Sequence, residues 1–229
     1  FNSAFFESFH QNKIYMSEQQ LEISKFFDQH NFETISVIAP TSYGKTELIL
    51  SLLKENKNKK ICIITPTKSL LAQTKIRIVK AQIGWIKKVI IQPEMYTGKE
   101  NSLVAVLTQE RLLRLLKMHP QLEFDFAIID EAHGLLNDDE RSRLLAEVIL
   151  ILEKRNSEIA FKFLTPFLGN SGNLRIKFAD IGISEYKVSE YIKSEKFYVY
   201  DEKNSKILKF YDQFINEFYE IGKLELNMY

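Results

Sequence analysis

The stretch APTSYGKTEL, residues 39–48, decides how this chain is read. Gly44, Lys45 and Thr46 follow the apolar run ISVIA (35–39) and precede the helix-period segment TELILSLLKE (46–55). Strand, loop and helix in succession bring several backbone N–H groups to a helix amino terminus, which suits phosphate oxygens. Gly44 permits the backbone turn, Lys45 would reach the β and γ phosphates, and Thr46 would hold Mg²⁺. Pro40, Thr41, Ser42 and Tyr43 form the rest of the cradle. Ala39 stands where the first glycine of such a loop usually lies, and it is small enough to leave the loop its shape.

Outward from that loop, short β-rich runs recur. They are ICIIT (61–65), KVIIQ (88–92), LVAVLT (103–108), FAIID (126–130), FKFLT (161–165) and FYVY (197–200). Helix-period stretches lie between them: SLLAQTKIRIVKAQ (69–82), ERLLRLLKM (110–118) and ERSRLLAEVILILEK (140–154). Strands that are continuously apolar rather than alternating, and separated by helices, indicate a parallel sheet covered on both faces. The expected fold is a doubly wound α/β domain over residues 1–200. The tail SKILKFYDQFINEFYEIG (205–222) has Ile207, Phe210, Tyr211, Phe214, Phe218 and Ile221 at helical spacing, with Gly222 as a C-cap. It is expected as an amphipathic helix within 201–229, packed on the domain or connecting it to another. The polar turn KENKNKK (54–60) reads as a solvated loop.

Composition limits the partners. Lys and Arg number 31 against 30 Asp and Glu, so no global positive field marks a nucleic-acid binder, and any such binding must be local. The single cysteine, Cys62, excludes an internal disulfide and a cysteine-built metal site. The apolar runs are too short to cross a membrane, so a cytoplasmic chain with no membrane partner is expected. The chain begins at Phe1, which reads as a piece of something longer.

The second half of a nucleotide site is AIIDEAH, residues 127–133. A buried apolar strand that ends in paired carboxylates lets Asp130 hold Mg²⁺ through water while Glu131 accepts a proton from the attacking water. Alone, such a pair could equally cap a helix, since acidic residues favour first turns. Coupled to the upstream loop, it reads as ATP chemistry.

APTSYGKT followed by DEAH, with TPTKSLLAQT (65–74) and LTQERL (107–112) between them, resembles the amino-terminal RecA-like domain of superfamily 2 helicases, the DEAD/DEAH-box group. The resemblance implies that Lys45 and Thr46 act on phosphates and Mg²⁺, that Asp130 and Glu131 drive ATP hydrolysis, and that His133 couples the site to motion between domains. A capping role for His133 is the alternative. Upstream, YMSEQQLEISKFF (15–27) resembles the segment in which these helicases place a glutamine to read adenine. Ser17 and Gln20 fit a capping box, which leaves Gln19 freer to read the base; a solvated helix glutamine is the alternative. Where the family commonly carries Ser-Ala-Thr, this chain has Thr165, Pro166 and Phe167, which keeps a hydroxyl at Thr165 only and leaves its coupling role in question.

Nucleic acid is a separate expectation. Thr67 and Lys68 lie where a strand-end turn meets a helix amino terminus, a place suited to phosphate oxygens. By resemblance Pro66, Thr67 and Lys68 line the strand's track. Thr108 and Gln109 begin the next helix with Arg111 just inside it, and YTGK (96–99) offers Gly98 and Lys99 in a third loop. Each alone also reads as a capped turn. The carboxyl ends of parallel strands lie together, which would gather all three at one sheet edge. Backbone contacts read no sequence, so single-stranded DNA and RNA are both admitted. The resemblance further implies a second RecA-like domain with an arginine finger, which is missing from these residues, and admits a nuclease or other defence or repair subunit as partner. The competing readings are a duplex translocase, an ATP-switched nucleic-acid or protein binding module without strand separation, and a P-loop kinase or GTPase; the last lacks its own acceptor motifs.

Overall fold

The computed structural model describes residues 10–11, 14–15, 17–40, 43–166, 183–188, 197–200, 206–212 and 217–223. They fall into two compact units, Phe1–Glu190 and Tyr191–Tyr229.

In the first unit a short antiparallel ribbon, β1 (His10–Gln11) and β2 (Ile14–Tyr15), precedes α1 (Glu18–Gln29). The chain then alternates β3 (Ile35–Ile38), α2 (Lys45–Glu55), β4 (Lys60–Ile64), α3 (Lys68–Lys80) and β5 (Val89–Ile90). It continues with β6 (Leu103–Leu107), α4 (Gln109–Met118), β7 (Phe126–Asp130), α5 (Glu140–Arg155), β8 (Ala160–Thr165) and β9 (Ser184–Lys187). Seven strands form one parallel sheet in the order β5-β6-β4-β7-β8-β3-β9.

The apolar strands are buried on both faces because each face has its own helices. Cys62, Ile64, Leu107, Ile129, Phe161 and Phe163 pack with the leucines of α4 and with Leu145, Val148 and Leu152 of α5. The alternate residues Ile61, Ile63, Val106, Ile128 and Leu164 pack with Ile23 and Phe27 of α1, Leu52 and Leu53 of α2, and Leu71 and Ile78 of α3. Neighbouring residues of one strand thus serve opposite cores, as period-two geometry requires. This is the expected doubly wound fold.

Two features differ from the sequence reading. β9 carries SEYK, a polar edge strand with Glu185 and Lys187 exposed, so a search for continuous apolar runs passes over it. The larger difference lies beyond residue 190. FYVY is not part of the parallel sheet: as β10 (Phe197–Tyr200) it pairs antiparallel with β11 (Ile207–Asp212), which pairs antiparallel with β12 (Glu217–Lys223). The expected helix over 205–222 is therefore two strands, and the unit boundary falls at 190 rather than 200. Its aromatic and β-branched residues are strand formers, and that preference and the pairing outweigh the helical spacing. Gly222 is no C-cap but lies opposite Leu208, beside a register shift at Leu208/Lys209. Phe214 lies outside the described residues.

Candidate functional site

Parallel register brings the candidate residues to one sheet edge. Ile38 pairs with Thr165, Asp130 with Leu164, and Ile64 with both Leu107 and Ile129, so the carboxyl ends of β3, β4, β6, β7 and β8 lie side by side. β8 lies between the strand before Lys45 and the strand that ends at Asp130. Ala39 N–H donates to Thr165 O at 2.9 Å, which extends that ladder to the foot of the loop.

In that loop Tyr43 N–H donates to Pro40 O at 3.0 Å, and Tyr43 is buried. Thr41 and Ser42 lie outside the described residues. Gly44 is the N-cap of α2 at φ 77°, ψ 27°. A Cβ there would meet nothing closer than 4.0 Å, so the left-handed backbone, not space, calls for glycine. Lys45 is only 7% exposed and its Nζ donates to Ala39 O at 3.1 Å. Burial lowers the Lys45 pKa, against the charges of Glu131 and then Asp130, which raise it. Thr46 is half-buried one residue into the helix.

Across β8, burial raises the Asp130 carboxyl, the Glu131 charge raises it further, and Lys45 pulls it down. One cation and two carboxylates thus share a partly dry site, and burial and mutual charge shift Lys45 and Asp130. Glu131 ends the strand in left-handed backbone, φ 57° and ψ 47°, with its N–H on Asp130 Oδ1 at 3.1 Å. A 3₁₀ helix, Ala132–Leu136, follows. It holds His133, whose Nδ1 lies 3.4 Å from Glu131 Oε2 and 3.3 Å from Thr165 Oγ1. Three residues read separately from the sequence, Glu131, His133 and Thr165, are therefore contiguous. Thr165 itself is fully buried.

The donor set fits Mg²⁺ that arrives with a nucleotide. No group of three or more His, Cys, Asp or Glu able to hold a metal occurs among the described residues. Mg²⁺ in phosphate sites takes one or two carboxylates and leaves its other positions to phosphates and water, and Asp130 with the Thr46 hydroxyl supplies that minimum.

Upstream, the capping box forms as read: Ser17 N–H donates to Gln20 Oε1 at 2.8 Å and Gln20 N–H to Ser17 Oγ at 3.2 Å. Gln19 stands half-buried on the first turn of α1.

The nucleic-acid candidates separate by exposure. Thr67 caps α3 through Leu70 N–H at 3.2 Å, and Thr67 and Lys68 are exposed beside half-buried Pro66. Gly98, at φ 81°, lies in an exposed turn whose Thr97 and Lys99 amides donate to Glu100. Thr108 and Gln109 are buried, at 5% and 4% exposure. Arg111 Nη1 donates to Ile91 O at 2.9 Å. Those three side chains serve the fold, and this loop is left with its backbone for any strand contact.

Sequence reasoning missed Arg141. From the first turn of α5 it donates through Nη2 to Pro66 O at 2.5 Å and through Nε to Glu110 Oε1 at 3.0 Å. The available signal was its place: a cation in a helix's first turn opposes the helix dipole and needs a local partner.

The model of the DEAD/DEAH box helicase family matches residues 17–165. Among solved structures the chain is similar to the Hef helicase domain of Pyrococcus furiosus, at 16% identity and a TM-score of 0.57, over 75% of this chain and 38% of that one. It is also similar to the UvsW helicase of bacteriophage T4, at 18% identity and a TM-score of 0.55, over 81% of this chain and 66% of that one. The Escherichia coli DEAH/RHA helicase HrpB matches at 18% identity and a TM-score of 0.55, over 72% of this chain and 22% of that one. The chain thus spans less than two thirds of each of these proteins. At these identities the likeness establishes the fold.

Proposed function

The chain belongs to the DEAD/DEAH box helicase family, and from that premise we propose that it is the motor half of an ATP-dependent nucleic-acid helicase or translocase. The observation that carries this reading is the convergence of buried Lys45 with Asp130 and Glu131 across β8. In it the loop amides and Lys45 bind the phosphates of ATP, and Thr46 with Asp130 hold Mg²⁺. When bound, Mg²⁺ neutralises charge on the transferring phosphoryl group. Gln19 reads adenine. Glu131 orients the attacking water and takes its proton. His133, in reach of both Glu131 and Thr165, passes the state of the site to β8.

A single strand of DNA or RNA would lie along Pro66, Thr67, Lys68 and Gly98, with backbone contacts from the Thr108–Gln109 turn. A second RecA-like domain, closing on the site with an arginine finger worth about three to five orders of magnitude in rate, belongs to the same proposal. So does a cytoplasmic location. Among the described residues no helix is long and apolar enough to cross a membrane.

The run Thr165, Pro166, Phe167 favours one second reading. The family's second hydroxyl is replaced there by Phe167, which suits a module that uses ATP as a switch for binding nucleic acid or protein without separating strands.

The test is ATP hydrolysis by the full-length protein with and without single-stranded DNA and RNA, beside Glu131→Gln. A motor gives stimulation by one polymer and at least about a hundredfold loss in the variant, with ATP binding kept. Intact ATP binding with no stimulated turnover would select the switch.

A further inference from the structure

Arg141 makes more contacts than a surface cation needs. Besides Pro66 O and Glu110 Oε1, it faces the Gln109 amide. With the amide oxygen turned toward the guanidinium, Nη2 and Nε each lie 3.0 Å from it. A planar fork can serve several acceptors at fixed angles, which an ammonium cannot. Both strand-end loops that flank the site, after β4 and after β6, are therefore fastened to one side chain.

The helix end that carries Arg141 is in turn fastened to the turn that follows the carboxylates. Asn137 closes the 3₁₀ helix that begins directly after Glu131. The Ser142 hydroxyl donates to Asn137 O at 2.5 Å, and Ser142 N–H donates to Asp139 Oδ1 at 2.7 Å as half of a capping box. The path from Glu131 to Arg141 is thus a short hydrogen-bonded arc. It closes around a cavity of about 90 Å³ with Asp130 and Glu131 on its lining together with Pro66, Gln109 and Arg141. Displacement of the Pro66 or Gln109 loop pulls on Arg141, which stands in the first turn of α5 beside the carboxylate turn.

We propose that Arg141 is the positioning residue that joins the carboxylate turn to the two strand-end loops, so that nucleotide and single-stranded nucleic acid bind with mutual dependence inside this one unit. The inference rests on the helicase reading above. It differs from domain closure in needing no second domain.

The experiment measures the dissociation constant of a fluorescent ATP analogue with Mg²⁺, with and without saturating oligothymidylate or oligouridylate, on this chain. The wild type should show mutual tightening of about fivefold or more, reciprocal in the two ligands. In Arg141→Ala and Arg141→Lys the factor falls to about one, while analogue affinity without polymer stays within about twofold and the melting temperature within a few degrees. Loss in the lysine variant is the discriminating readout, because charge is retained and only the fork is gone. If the alanine variant does not fold, Glu110→Gln, which weakens one arm, should lower the factor in a folded protein.

Coupling that survives Arg141→Ala or Arg141→Lys overturns the proposal. So does a wild type that binds both ligands independently. A wild type that binds the analogue but neither polymer defeats the nucleic-acid reading itself, and the role of Arg141 falls with it.

Discussion

Glu131 holds left-handed backbone without being glycine, asparagine or aspartate, in the turn that starts a 3₁₀ helix. That conformation costs an L-residue about 1–2 kcal/mol, and strain of this kind gathers at working sites because the side chain there is needed for something other than stability. Here it aims a carboxylate at the region between Lys45 and His133. Glu131→Gly should therefore stabilise the protein by about 1 kcal/mol, a rise of roughly 2–4 °C in melting temperature. The same variant should abolish ATP hydrolysis. Thermal melts of Glu131→Gly and Glu131→Gln separate the two effects, since glutamine keeps the strain and loses only the charge. A melt for the glycine variant at or below that of Glu131→Gln would remove the claim of strain.

At the scale of elements, α4 shows how an end is finished from a distance. Arg155, in the last turn of α5, donates to Leu116 O at 2.8 Å and to His119 O and Leu122 O at 3.0 Å each. Three carbonyls at and beyond the α4 terminus have one partner, where a helix end would otherwise need its own cap. Arg155→Ala should cost about 2–3 kcal/mol by urea unfolding, chiefly from partly buried acceptors left unpaired. The parallel strands other than β9, and their helices, were legible in the sequence because those strands are mostly apolar and each helix has its own stripe. The placement of Gly44, Lys45, Asp130 and Glu131 at or just past strand ends was legible because a strand followed by a loop and a helix is a local pattern. β9 was not, since a four-residue edge strand with two exposed charges carries no apolar run. β11 and β12 were misread because the three- and four-residue spacing of their apolar residues matches a helix face, while their aromatic and β-branched content favours strands and pairing between strands is a non-local fact. Arg141 was invisible for the same reason: its partners stand 75 and 31 positions away.

Over the molecule as a whole, charges nearly cancel at a formal +1, so attraction to a polyanion must come from few local contacts. With about three phosphates engaged by Lys68, Lys99 and their loops, the affinity for a single strand should fall with salt at a log–log slope near −2, well short of a basic-groove protein. Fluorescence anisotropy between low and physiological salt measures it, and a slope several times steeper would require a cationic track that these loops do not contain.

The inner strand β8, between β7 and β3, links the site to global stability. Thr165 ends it at the nucleotide edge, and toward its other end Lys162, fully buried, donates to His30 O at 2.7 Å and Glu33 O at 2.6 Å, with the Phe27 ring 5.5 Å away. One amine thereby ties the end of α1 and the turn after it to the sheet. Burial lowers its pKa to about 8, with the Glu33 charge opposing, from an ordinary value near 10.5. Below pH 8 both folded and unfolded chains hold the proton, and this group adds no pH dependence. Between about 8 and 10.5 the unfolded chain keeps a proton that the folded one has released, so stability rises with pH across that window. The neutral amine still has two hydrogens for its two carbonyls, which is why deprotonation relieves desolvation without breaking the tie. Relative to Lys162→Met, the wild type should gain stability on the order of 3 kcal/mol from pH 8 to 10.5. Urea unfolding of both proteins across that range cancels the other titrating groups. A difference that stays flat, or that shrinks as pH rises, would mean that Lys162 keeps its proton in the folded protein.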